Sequence, residues 1–272
     1  MRKLLQTQIA LVTVSWGIEK ENIHLHNYGK YGADRRDFCG VNKLENGVIY
    51  QSAVALQIAS KLQISALEIS KKIVLDLENQ QSLDFQAQVM PQGIINFRIS
   101  DRALANWLEF IKSKTSPQQT IFPEVINYFP IQAAHARCCS LLKLGAREKV
   151  IELKDQAPNS WQISLPSEIP WLDTKGNFRL LTSSEINLVN LLVNLVDEFD
   201  SFPEKNQPQK WLKLATEISK SFAYFDRNCL IFGEIKLKDL PLAQARLGLV
   251  AITQWGLQKL LEEHLGAIAQ IS

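Results

Sequence analysis

Four thiols, Cys39, Cys138, Cys139 and Cys229, are the first candidates for chemistry in this chain, and no two of them have C-x-x-C spacing. Zinc binding and thioredoxin-type exchange both need that kind of pairing. The adjacent pair Cys138 and Cys139 reads instead as small apolar filler, reduced in a cytosolic setting. His24 and His26 stand one residue apart with no further ligand cluster, which fits an exposed pair better than a metal site. No Gly-x-x-x-x-Gly-Lys or Gly-x-Gly-x-x-Gly run supplies a phosphate cradle. The expectation is therefore no catalytic residue, no metal and no cofactor. What remains is the chemistry of contact. Asn96 and Arg98 share strand parity and so point to one side, with Gln92 near the turn before them. Such a group suits RNA phosphates and base edges, or plain solvent. His135, Arg137, Lys143 and Arg147 follow one another along a predicted helix. From Arg137 the two later cations stand at i+6 and i+10, a broad basic face rather than a tight stripe. Tyr224 is offset from the Phe222/Phe225 face and is the best exposed stacking platform for a base. Trp255 fits core packing better.

These residues need elements to hold them. The chain has 272 residues, 46% of them hydrophobic, enough for one large or two modest domains. Formal net charge is +2, so any positive surface must come from local arrangement. No apolar run is long enough for a membrane span, and no signal peptide is evident. The expected location is cytoplasmic. The polar, proline-containing run that begins at Ser113 is the best linker. Before it, 1–16 is ambiguous between helix and strand. A helix is expected over 51–61, and another after Ser65, where Glu68 completes a capping-box spacing. Phe85–Val89 and Ile94–Ile99 alternate as strands do. A helix capped by Ser100 or Asp101 follows. After the linker the pattern is almost wholly helical: about 125–150 with Pro130 near its start, an apolar helix after Thr182–Ser184, another from Lys210 to about Asn228, and a last one after Asp239-Leu240-Pro241. The looser stretch 157–177 carries Pro158, Pro166 and Pro170.

The run Gln132-Ala133-Ala134-His135-Ala136-Arg137, with Ser140, Leu141 and Leu142 behind it, resembles the opening helix of the anticodon-binding domain of arginyl-tRNA synthetases. Ala133 stands where that family usually has Tyr. Phe222-Ala223-Tyr224-Phe225-Asp226-Arg227-Asn228-Cys229 is similar to the family's Phe-Asn-x-Phe-Tyr-x-Asn-Cys. It agrees at Phe222, Phe225, Asn228 and Cys229 and departs at Ala223 and Asp226. Arg246-Leu247-Gly248-Leu249-Val250-Ala251 resembles the last helix. More weakly, Gln92-Gly93-Ile94-Ile95-Asn96-Phe97 resembles the hairpin through which the family's N-terminal additional domain meets the tRNA D-loop.

The resemblance implies an α+β N-terminal domain over 1–112, a linker at 113–122 and an all-α helical-bundle anticodon-binding-like domain over 123–272. In the family the ATP- and arginine-binding core lies between two such domains. Here only the short linker stands there, and no His-Ile-Gly-His element exists. The expected activity is binding of tRNA or a tRNA-like RNA without catalysis, with no DNA or membrane partner. The expected RNA contacts are Gln92, Asn96, Arg98, His135, Arg137, Lys143, Arg147 and Tyr224. A protein-interaction module that kept the fold, with a protein partner, is the alternative. Arginine–tRNA ligase activity is what the resemblance alone would suggest.

Overall fold

The computed structural model describes residues 1–15, 25–27, 47–79, 84–113, 128–154, 161–201, 208–267 and 269. His24, Cys39, Pro158 and all but Ser113 of the linker lie outside them. The chain falls into two compact units, Met1–Leu104 and Ala105–Ser272. The expected class holds: a mixed α/β unit is followed by a helical one.

In the first unit, α1 (Arg2–Ser15) settles the ambiguity at the start as helix. Leu5, Ile9 and Val12 recur at helical spacing and are buried. Strand β1 (Leu25–Asn27) and β2 (Ile49–Ser52) come next, then α2 (Val54–Leu62) and α3 (Ala66–Glu78). The helix expected over 51–61 thus begins later, because its first residues belong to β2. Ser65 does cap α3 by position, but its side chain makes no capping bond, so the expected capping box is not formed. β3 (Phe85–Val89) and β4 (Ile95–Ile99) form the expected hairpin within an antiparallel sheet of order β1-β2-β4-β3. Tyr50, Phe97 and Ile95 are fully buried on one sheet face, where Phe85 meets Phe97 edge-on at 5.2 Å. Gly93 makes the hairpin turn possible. Its φ is +81, and a Cβ there would stand 2.8 Å from the Ala66 backbone. Helix α4 (Asp101–Lys112), which belongs to the second unit from Ala105 on, begins with Ser100 Oγ accepting from Ala103 N at 3.2 Å, as the cap reading expects.

The second unit is built on α5 (Phe129–Arg147), α6 (Ser183–Ser201), α7 (Pro208–Asn228) and α9 (Leu240–Lys259), with a short α8 (Glu234–Lys238) between the last two. Pro130 sits in the first turn of α5, where its missing N–H costs nothing. Asp239 caps α9 by accepting from Leu242 N at 3.0 Å, and a π-helical turn, Leu260–His264, ends it. Between α5 and α6 the helical unit also carries β pairing, including a bridge between Leu172 and Phe178. Strands β5 (Glu152–Leu153) and β6 (Ile163–Leu165) pair antiparallel beside the end of α5. Two glycines let the helices and the loop close. A Cβ on Gly145 would reach within 2.7 Å of Leu247 in α9, and one on Gly248 would reach within 2.7 Å of Trp171. Arg246 of α9 donates to Glu185 of α6 at 2.7 Å and also to the Leu230 carbonyl, a buried ion pair whose second partner is backbone. No described helix is long and apolar enough to cross a membrane.

Candidate nucleic-acid interface

Helix α5 sorts its residues by periodicity. Ile131, Ala134, His135, Cys138, Cys139, Leu141, Leu142 and Gly145 are buried. His135 is 1% exposed, so the expected RNA contact there is corrected: its ring offers no edge to a macromolecule. Its Nε2 lies 2.9 Å from Gln254 Nε2, and Gln254 in turn donates to Gln258 Oε1 at 2.9 Å. Both amide protons are used when His135 accepts through an unprotonated Nε2. Gln258 continues the ladder by donating to both oxygens of Glu262 at 3.3 Å. Burial raises the Glu262 carboxyl, and the Gln258 hydrogen bond opposes that rise. Burial also lifts the Cys138 thiol well above its ordinary range and pushes Cys139 up to about 12. Both thiols are therefore inert filler at neutral pH, as their spacing suggests.

The exposed side of α5 carries the cations, in two places rather than one. Lys143 and Arg147 are one turn apart and exposed, with the Lys143 ammonium 5.5 Å from the Trp161 ring centroid. Arg137 sits roughly 80–120° round the helix from them, at 3.6 residues per turn. It turns to α7, where its Nε and Nη2 donate to the two carboxylate oxygens of Asp226 at 2.9 and 3.2 Å. Those hydrogen bonds raise the Arg137 guanidinium further above its already high range, against a smaller lowering by desolvation. Ala133, one turn before Arg137, is also exposed.

On α7 the buried face is Trp211, Leu214, Ala215, Ile218, Ser219, Phe222 and Phe225. The opposite side carries Lys213, Lys220, Tyr224 and Arg227, all exposed. Their spacing of seven, four and three residues lines them along one ridge roughly 21 Å long, at about 1.5 Å per residue. Half-buried Glu217 is the acidic member of that line. Tyr224 is 54% exposed, which agrees with its offset from the phenylalanines. Sequence reading singled out Tyr224 but missed Lys213, Lys220 and Arg227. The signal was present in their i, i+7 and i+14 positions.

In the first unit the register places Asn96 opposite both Gln88 and Gln51, and Arg98 opposite Gln86 and Ile49. Directly opposed residues share a sheet face, so Gln51, Gln86, Gln88, Asn96 and Arg98 form one polar patch. Gln92 is exposed at the hairpin turn. Asn96 is only 9% exposed, and its Oδ1 has no hydrogen-bond partner among the described residues. Among the described residues, no group of three His, Cys, Asp or Glu side chains could hold a metal ion. The 640 Å³ groove lined by Glu109, Phe110, Ile169 and Trp171 has its carboxylate engaged already: Glu109 accepts from Ile169 N and Trp171 Nε1 and pairs with Lys112.

Comparison with known proteins decides what the helical unit is. Residues 131–265 match the family model of the DALR anticodon binding domain. This segment is a DALR domain. A curated relative, the arginine–tRNA ligase of Synechococcus sp. (strain JA-3-3Ab), is 32% identical over 139 residues. That match covers 51% of this chain and 21% of the relative, so the chain spans about a fifth of that enzyme's length. No solved structure matches the chain. Within the DALR domain, α5, α7 and α9 supply the buried frame, and the Arg137–Asp226 pair joins α5 to α7. Arg137, Lys143, Arg147 and Tyr224 all reach solvent, whereas His135 belongs to the frame.

Proposed function

We propose that this protein binds tRNA, or an RNA of tRNA-like shape, through its DALR domain and does not itself charge that RNA. The observation that carries the reading is the α7 ridge of Lys213, Lys220, Tyr224 and Arg227, on a domain of the anticodon-binding type. The three cations suit phosphates, whose contacts position an RNA without reading it. Tyr224 suits a splayed loop base, and such stacking contributes about 1–3 kcal/mol per base. Lys143 and Arg147 are two further exposed cations, on α5. The polar patch with Gln92, Asn96 and Arg98 is a second contact, supported by the resemblance of its hairpin to one that meets a D-loop. The reading places the protein in the cytoplasm and expects neither DNA nor membrane as partner.

The non-catalytic half of the proposal rests on the sequence, which carries neither a glycine-rich phosphate cradle nor a His-Ile-Gly-His element. Fluorescence anisotropy with tRNA, against random-sequence RNA of equal length, tests the binding. Tighter binding to tRNA with a falling affinity in salt is the expected outcome, and equal binding contradicts it. Arginine-dependent exchange of pyrophosphate into ATP is expected at background, and exchange above background overturns the non-catalytic reading.

One observation favours a second reading, a protein-interaction module. Leu181, Leu230 and Leu237 are 60%, 67% and 84% exposed in the same domain. Capture of one dominant protein partner, unaffected by RNase, would support that reading.

A further inference from the structure

We propose that Asp226 is a built-in competitor for the phosphate that Arg137 would otherwise bind, and so sets the RNA affinity of the DALR domain. The proposal rests on the RNA-binding reading above. Arg137 reaches solvent, with 54% of its side chain exposed, on the helix whose sequence resembles the anticodon-binding segment. Its fork is nonetheless occupied. Nε and Nη2 form parallel bonds, at 2.9 and 3.2 Å, to the two oxygens of one carboxylate. A phosphate uses the same two-pronged geometry, so carboxylate and phosphate compete for one donor set.

The competition has two consequences for binding. The Arg137–Asp226 pair carries no net charge, so it releases no counterion from an approaching backbone. A phosphate that does reach it must also meet the Asp226 carboxylate, which is 25% exposed and fixed on the flank of α7 that faces α5. Ala133 adds nothing here, because its methyl group neither stacks nor donates. The segment is thus built with the arginine of the expected contact set present and its charge locally cancelled.

Asp226→Asn keeps the size of the side chain and removes its charge. The test compares wild type, Asp226→Asn, Arg137→Gln and the double variant for binding of one tRNA by anisotropy across a salt series. Glu152→Gln, which removes an exposed acidic group of the same domain that lies outside α5 and α7, controls for the general effect of lowering negative charge. The Asp226→Asn protein is expected to bind about three- to tenfold tighter at low salt, with a slope of log affinity against log salt steeper by about 0.9, one added phosphate contact. The gain should vanish in the double variant and exceed that of Glu152→Gln. Wild-type binding with no gain in Asp226→Asn, or a gain kept in the double variant, overturns the competitor role while leaving RNA binding intact. Absence of binding by both wild type and Asp226→Asn overturns the RNA reading together with it. Matching thermal melts of the variants separate these outcomes from loss of fold.

Discussion

Glu262 ends the buried ladder that begins at His135, and it is 3% exposed. Burial raises its carboxyl above the ordinary glutamate range. A raised carboxyl stabilises the fold relative to the unfolded chain while protonated. That contribution is complete below the ordinary range and is lost as pH rises through the folded-state value. At neutral pH the ionised group therefore weakens the fold. Glu262→Gln is expected to melt a few degrees above wild type at neutral pH, with the difference shrinking toward about pH 4. A difference that stays constant across that range in thermal melts contradicts this account. His135 at the other end was legible as a packed residue, since Ile131, Ala134, Cys138 and Leu142 flank it at helical spacing. The family resemblance pulled the reading toward contact instead. Asp226 was not legible as a partner of Arg137, because the two are 89 residues apart and nothing local joins them.

At the scale of the element, α7 shows how one periodicity serves two purposes. Apolar residues at three- and four-residue steps bury one side, and the same steps on the other side collect Lys213, Lys220, Tyr224 and Arg227. Tyr224→Ala should weaken tRNA binding by about 1–3 kcal/mol without shifting the melt, because its ring lies outside the core. Unchanged affinity would remove the stacking role. Helix α5 meets α9 where Gly145 leaves room for Leu247. Gly145→Val is expected to destabilise the DALR domain by about 1–3 kcal/mol through overpacking, read by denaturant unfolding. An unchanged midpoint would show that the contact is loose. Start signals were legible where local chemistry decides them, as at Pro130, Ser100 and Asp239. Ser65 had the right spacing, but its side chain takes no capping bond. The β5–β6 pair was missed because strands of two and three residues leave almost no alternation to read.

Over the whole molecule the formal charge is only +2, so bulk attraction to a polyanion is weak and any RNA affinity must come from the placed cations. Composition correctly deflated expectations of a basic protein, but it could not show that three cations share one ridge. The order of a mixed unit and then a helical one was legible from alternation giving way to helical spacing. The central claim is that the α7 ridge is where RNA phosphates sit. Its most direct test is the salt dependence of tRNA binding by wild type and by a Lys213→Gln, Lys220→Gln, Arg227→Gln variant. The account predicts measurable tRNA binding by wild type and a slope shallower by about 2 to 3 in the variant, close to 0.7–0.9 per lost phosphate contact. Equal slopes and affinities for the two proteins, or no binding by wild type, would contradict it.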